Sequence, residues 1–370
     1  MKKSIEKYQI IIPLVAFFII SIISIYSASK TFYSQETLNK QIIWYIIGFF
    51  IIIITTKFNC KKIIDYSPIL YIIGNILLLS LLFFGTEING SKCWFVIPKV
   101  GSFKPSEFMK IILILINTKI LTYFDHKYYN STFKSDLKVF FSIMIITLIP
   151  SILTFLEPDT GMVIIYFLIS FIMLFIYGIR KSIFLILITI IIAITTLFLL
   201  FYFNYQDKFI DLFGTSFFYR VDRILDWSNK SGMQITNAIA AIKAAGLFGF
   251  GIGNTPIYIP EAHTDFIFSI FSSNIGLIGT IILIILILVF DTGLFKLTSK
   301  TSDKSFKYII AGFSSMIIYQ QIQNISMNIG LLPITGITLP FISYGGSSLL
   351  SYMIGISIII NYEKKLLTNK

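Results

Sequence analysis

The sequence predicts an all-α integral membrane protein. It reads as a single polytopic domain over residues 1–370, a bundle of ten transmembrane helices with a long external loop, 205–263, between spans 7 and 8. Three observations predict this. Hydrophobic residues make up 56% of the 370 and charged residues 13%, where soluble domains run nearer roughly half and a quarter. Mean hydropathy is +0.84, and 37 Phe with 20 Tyr could not stay solvated, which excludes disorder. Apolar runs of about 20 residues, the length that crosses a bilayer, recur along the chain. Two Cys cannot support a disulfide framework, and two His leave little room for a metal site. The cofactor is therefore unknown, with a divalent cation an open option.

In order, the runs are Gln9–Ser27, Ile42–Thr56, Pro68–Phe84, Ser106–Phe124, Lys138–Leu156, Gly161–Gly178, Ser182–Asn204, Thr264–Phe290, Lys307–Ile329 and Ile342–Asn361. Each must be helical, because lipid offers no partner to free backbone N–H and C=O groups. The first is long enough to span and no small-residue cleavage site follows it, so no cleavable signal peptide is expected. With the N-terminus inside, the cytoplasmic loops collect most of the 30 basic residues, among them Lys2, Lys3, Lys61, Lys62, Lys127, Lys134, Arg180, Lys304 and Lys364. The positive-inside rule thus places both termini in the cytoplasm. The net charge of +12 is mostly this signal, with anionic lipid headgroups as counter-charge. Basic residues scattered over separate loops do not make a nucleic-acid surface. Cys60 then faces the cytoplasm and Cys93 the exterior, too far apart to pair. There is no internal repeat.

Four external segments carry the chemistry. In the first, Asn89-Gly90-Ser91-Lys92-Cys93-Trp94-Phe95 precedes Lys104-Pro105-Ser106-Glu107-Phe108-Met109-Lys110. Pro105 suits the first turn of a helix, where its missing N–H costs nothing. Glu107 and Lys110 are three apart on one face, either a helix-start ion pair or a pair bordering a polar cavity. In the second, Glu157-Pro158-Asp159-Thr160-Gly161, Asp159 is a helix cap or a functional carboxylate. The third, from Tyr205 to His263, exceeds ordinary loop lengths. It holds Arg220 and Arg223, suited to bidentate phosphate contact or to snorkelling toward lipid phosphates. A short amphipathic helix near Gln234–Ala245 follows, then the run Gly246-Leu247-Phe248-Gly249-Phe250-Gly251-Ile252-Gly253-Asn254, weak evidence for phosphate binding by itself. Asp265 follows His263 at the start of the eighth span. A carboxylate at that boundary is partly desolvated, which raises its pKa and makes it a more competent base; the alternative is a carboxylate complementing the helix dipole. The fourth, Gly330 to Ser348, has no charge but is dense in Pro, Gly and hydroxyls. A re-entrant loop lining a groove fits that composition.

Together these stretches resemble the SEDS family of bacterial cell-wall proteins, which includes RodA, FtsW and SpoVE. The likeness rests on Pro105-Ser106-Glu107, Pro158-Asp159, the run from Pro260 to Phe268 (Glu261, Ala262, His263, Thr264, Asp265 within it), and Leu339-Pro340-Phe341-Ile342-Ser343-Tyr344-Gly345-Gly346-Ser347-Ser348. The resemblance implies a ten-span bundle that polymerises lipid II into glycan strands on the outer face of the cytoplasmic membrane. It implies that Asp265 is the general base. Substrate-binding roles fall to Arg223, Arg220, Lys110, Glu107, Asp159, Glu261, His263, Ser343 and Tyr344, and the partner is a class B penicillin-binding protein. The run from Gln323 to Gly330 and the short termini look RodA-like, which favours a role in cell elongation; Tyr219-Arg220 to Arg223 is similar to FtsW and SpoVE, which serve division and sporulation.

Three stretches depart from the family pattern: Ser273-Asn274, where a Glu pair or Gly-Glu is usual; Ala241-Ile242-Lys243-Ala244-Ala245-Gly246, where Ala-Ile-Gly-Ser-Gly-Gly is usual; and Lys104, where Gln usually precedes Pro-Ser-Glu. Two rival classes remain: a lipid II flippase or other transporter, and a non-catalytic scaffold of a cell-wall complex. A transporter would be expected to show repeats or broken spans with charges near the membrane midplane, whereas most spans here are charge-free at their centres and the notable polar residues gather on the exterior side.

Overall fold

The computed structural model describes residues 5–31, 35–55, 57–58, 60–88, 90–97, 101–128, 132–215 and 232–368. It is mostly helical. The helices are α1 (Ile5–Thr31), α2 (Gln35–Thr55), α3 (Cys60–Asp65), α4 (Ser67–Phe84), α5 (Pro105–Lys127), α6 (Phe133–Leu156) and α7 (Thr160–Tyr177). They continue with α8 (Lys181–Asn204), α9 (Gln206–Phe213), α10 (Met233–Ala244), α11 (Ile267–Lys300), α12 (Lys304–Asn328) and α13 (Gly346–Thr368). Among the described residues, seven helices are long and apolar enough to cross a membrane: α1, α2, α4, α6, α7, α8 and α11.

Helices α5, α12 and α13 fall outside that set for a physical reason. Helix α5 packs against α4, α6, α7, α12 and α13, so its sides face protein. It can therefore bury Glu107, Lys110, Asn117 and Thr118, and α12 likewise buries Gln320, Gln321, Gln323, Asn324 and Asn328. Polar groups at such depth are tolerated when they point into a bundle and pair.

The structure corrects the expected fold in several places. A small antiparallel sheet, β1 (Thr86–Ile88), β2 (Ser91–Ile97) and β3 (Gly101–Phe103), stands where the sequence suggested only a loop. Phe95 pairs with Phe103, Val96 with Ser102 and Ile97 with Gly101. The Trp94-to-Ile97 run is aromatic and β-branched, a strand composition, but it is too short to stand out beside the spans. Helix α11 begins at Ile267 instead of Thr264 and runs to Lys300. Helix α13 begins at Gly346 instead of Ile342. The predicted short helix near Gln234 is α10. Arg220 and Arg223 lie outside the described residues. Cys60 and Cys93 are both buried, and neither is in a disulfide among the described residues.

Helix α11 is broken at Gly276, whose φ of 76° and ψ of −169° are non-helical. The glycine run fills the break. Phe250 and Gly251 donate to the carbonyls of Ser273 and Asn274 (3.0 Å each), while Leu277 and Ile278 donate to those of Gly246 and Leu247 (3.0 and 3.2 Å). Backbone groups that lost helical partners are thus repaired by a second segment. A Cβ at Gly249 would lie 2.3 Å from the Asn274 carbonyl oxygen, and one at Gly276 would lie 2.4 Å from the Gly249 nitrogen. Close backbone approach, not phosphate binding, accounts for these glycines. Ser273 and Asn274, two of the departures from the family pattern, sit in this joint and are buried.

Candidate functional site

Asp265 stands in a chain of turns that leads into α11. Glu261 opens it with a left-handed φ of 53°, and the N–H groups of Thr264 and Phe266 return to its carbonyl (3.2 and 3.1 Å). The Thr264 hydroxyl donates to Glu261 Oε2 at 3.0 Å. Two buried asparagines one helical turn apart on α12 hold the segment from one side. Asn324 Nδ2 and Asn328 Nδ2 donate to the Asp265 carbonyl at 2.8 and 3.0 Å.

The uncharged segment holds it from the other side. Ser343 Oγ donates to the Thr264 carbonyl at 2.6 Å and accepts from the Leu339 N–H at 2.8 Å. Tyr344 N–H donates to the His263 carbonyl at 2.8 Å, and the two rings lie 5.3 Å apart. That segment is itself tied down by α1 and α2. Ser21 Oγ donates to the Ile342 carbonyl at 2.7 Å, Gln41 Nε2 donates to the Ser343 carbonyl at 3.2 Å, and the Tyr45 hydroxyl donates to the Phe341 carbonyl. Its irregular backbone survives because protein side chains satisfy it. Glu261, His263, Ser343, Tyr344 and Asp265 are therefore brought together.

The Asp265 side chain faces Gly336, where an added Cβ would sit 3.8 Å from Oδ2. Burial, then the Glu261 charge, push its pKa up to about 7; Lys104 pulls it down and Asp159 raises it further. A carboxyl tuned near neutrality is what general-base chemistry calls for.

Asp159 is both a cap and part of an ion pair. It accepts from Met162 N–H at 3.4 Å at the start of α7, and its Oδ2 lies 2.7 Å from Lys104 Nζ. Gly161, two residues on, abuts the loop at Thr335 and Ile337, on either side of the Gly336 that Asp265 faces. Lys104 is the N-cap residue of α5, with its ammonium 5.2 Å from the centre of the Trp94 ring. Burial opposes its charge, but Asp159 and Glu107 outweigh that and hold its pKa above the lysine range. The sequence reading treated Lys104 only as a departure from pattern. Among the described residues it is a cation whose charge acts on Asp265.

Lys110 and Glu107 form a 2.6 Å ion pair, but their side chains are 0% and 4% exposed. Lys110 also reaches Gln320 Oε1 at 3.4 Å and stands 4.8 Å from the Tyr352 ring. It lies inside the bundle, paired with Glu107 as the i, i+3 spacing allowed. Glu157 was missed as well. It is fully buried, its carboxylate oxygens have no hydrogen-bond partner among the described residues, and burial, then Asp159, push its pKa up to about 8 against the pull of Lys104. Its position in a Glu-Pro-Asp turn was the available signal. Among the described residues, no group of three or more His, Cys, Asp or Glu is placed to hold a metal ion.

The chain is similar to known proteins over nearly its whole length. It is 33% identical to the probable peptidoglycan glycosyltransferase FtsW of Wigglesworthia glossinidia brevipalpis, covering 96% of this chain and 93% of that protein. It is 32% identical to stage V sporulation protein E of Bacillus subtilis over 81% and 79% of the two chains. Its fold matches a chain of a solved peptidoglycan synthase complex that coordinates polymerization and crosslinking, with a TM-score of 0.77 and 23% identity over 96% and 97%. It also matches the rod shape determining protein RodA of Thermus thermophilus, with a TM-score of 0.69 and 21% identity over 97% and 96%. A family model described as a cell cycle protein covers residues 6–367, so this chain belongs to the FtsW, RodA and SpoVE family.

Proposed function

We propose that this chain is a peptidoglycan glycosyltransferase that polymerises lipid II on the outer face of the bacterial cytoplasmic membrane. The observation that carries the reading is Asp265, a carboxyl whose pKa burial and Glu261 push up to about 7 against the pull of Lys104, its backbone fixed from two sides. In this reading Asp265 takes the proton of the acceptor sugar's 4-hydroxyl. The freed oxygen attacks C1 of the donor's MurNAc with inversion, the C1–O bond to the lipid diphosphate breaks, and undecaprenyl pyrophosphate leaves. Cationic stabilisation of that leaving group is the larger electrostatic demand. Lys104 supplies a described cation at the site, and Arg220 and Arg223 are assigned to the same task.

Helices α5, α12 and α13 count as spans beside the seven apolar ones, making ten with both termini cytoplasmic. Residues 205–263 then form an external loop of one domain. Glu261, His263, Ser343 and Tyr344 shape the acceptor side, while Asp159, Glu107 and Lys110 set the field behind it. A class B penicillin-binding protein is the expected partner, in keeping with the crosslinking function named for the synthase complex. The sequence relatives carry FtsW and SpoVE names, so a division role stands beside the elongation role that the RodA-like motif favours.

The test is polymer formation from lipid II by purified protein with its cognate transpeptidase, resolved on a gel. Asp265→Asn should yield no glycan strands while remaining folded and partner-bound, a loss of about a hundredfold or more. Equal polymer from both proteins would remove Asp265 from the base role. Lipid II crossing vesicles without polymer would favour a flippase.

A further inference from the structure

At the other end of α5, roughly 34 Å from Lys104 along a 23-residue helix, a cleft of about 500 Å³ opens between the last turns of α5 and the first turns of α6. Tyr123, Lys127, Tyr128, Lys134 and Lys138 line its polar part, and Phe141 and Ile145 continue it along α6. Lys134, Lys138, Phe141 and Ile145 recur at steps of four, three and four, which places them on one face.

The charge at this end is lopsided. The carboxylates carried by the same two helices are committed elsewhere. Asp125 pairs with Lys304 at 2.6 Å and accepts from the Tyr308 hydroxyl at 2.7 Å. Asp136 takes Arg180, at 3.6 Å from its Nε and 3.2 Å from its backbone N–H. Among the described residues Lys127 is braced by aromatic groups only, 5.4 and 5.8 Å from the ring centres of Tyr123 and Tyr128, with a 3.3 Å hydrogen bond to the Tyr123 hydroxyl. Lys134 and Lys138 are exposed and make no ion pair among the described residues. Three ammonium groups thus face one cleft whose far wall, exposed Phe141 and Ile145, is apolar. A free anion would satisfy the lysines and leave that wall unused; an amphiphile with a phosphate head uses both.

We propose that this cleft binds an anionic phospholipid, with its phosphate against Lys127, Lys134 and Lys138 and an acyl chain along Phe141 and Ile145. The site is separate from the Asp265 region and independent of the activity assigned there. The test is native mass spectrometry of the full chain, delipidated and then exposed to phosphatidylglycerol or to phosphatidylcholine of the same acyl chains. Wild type should retain phosphatidylglycerol, and the Lys127→Gln, Lys134→Gln, Lys138→Gln triple variant should retain roughly tenfold less, with phosphatidylcholine equal on both. The corresponding triple Arg variant should keep the lipid. Lys134→Gln and Lys138→Gln singly, at exposed positions, give the same test in smaller steps where the triple variant fails to fold. Equal phosphatidylglycerol on wild type and Gln variants overturns the proposal. So does its complete displacement by inorganic phosphate, which would make the cleft a free-anion site.

Discussion

Helices α5 and α8 are almost equal in length, 23 and 24 residues, and opposite in every other respect. Helix α8 buries only Ile183 and Tyr202 and shows a continuous apolar surface outward. Helix α5 is enclosed by six other helices and carries a charged pair inside it. Hydropathy therefore follows what a helix faces: the helix at the centre of the bundle is less apolar than the one at its edge. A residue's value to the molecule follows enclosure, because an enclosed polar group has no solvent to fall back on.

Substitutions can break that contrast. After Asp265→Asn, the largest expected effect is Lys110→Met with Glu107 retained. Removing one partner of a buried pair leaves an uncompensated charge and costs about 3–5 kcal/mol. Loss of folded protein in a thermal unfolding series would show it, and restoration by Met at both positions would assign the cost to the orphaned carboxylate. Next is Gly276→Ala, which places a Cβ against the Gly249 backbone at a left-handed φ. A loss of about 2–3 kcal/mol is expected, read as a lowered melting temperature.

A smaller and more specific effect belongs to Lys104→Gln. Lys104 lowers the Asp265 pKa, so its removal raises it. The base is active when deprotonated, and the acidic limb of the rate profile should therefore move to higher pH. Beyond any loss common to all pH values, polymerisation should fall about threefold further below pH 7 than above it. An unshifted limb would restrict Lys104 to capping and packing. The smallest effect is Leu197→Ala on α8, where a side chain 66% exposed should change stability by less than about 0.5 kcal/mol. A large loss there would mean that α8 has a protein neighbour in its working state.

The same contrast separates what could be read from the sequence. Apolar runs announce themselves whenever lipid faces a helix, so α1, α6, α7 and α8 stand out. The Asp265 motif stands out because a charge interrupts such a run. Asn324 and Asn328 were quoted only as part of a family-like stretch; their work is to hold the Asp265 backbone, and only the folded path of 260–266 reveals it. Lys104 looked like a loss from the pattern because its partner, Asp159, is 55 positions away. The β1–β3 sheet was obscured by its own brevity, since strands of three residues leave no periodicity to detect. The glycine run was legible as chain punctuation, yet its mate, the gap at Gly276, lies beyond any local window.

That gap has a mechanical meaning. A rod in two lengths, clasped at the joint, has each length anchored separately. The stretch from Leu277 onward sets out with its first N–H groups taken by the Gly246 and Leu247 carbonyls. The short arm that leads back to Asp265 bears on α12 by its own bonds, the Ser269 N–H and hydroxyl donating to Asn328 Oδ1 at 3.1 and 2.6 Å.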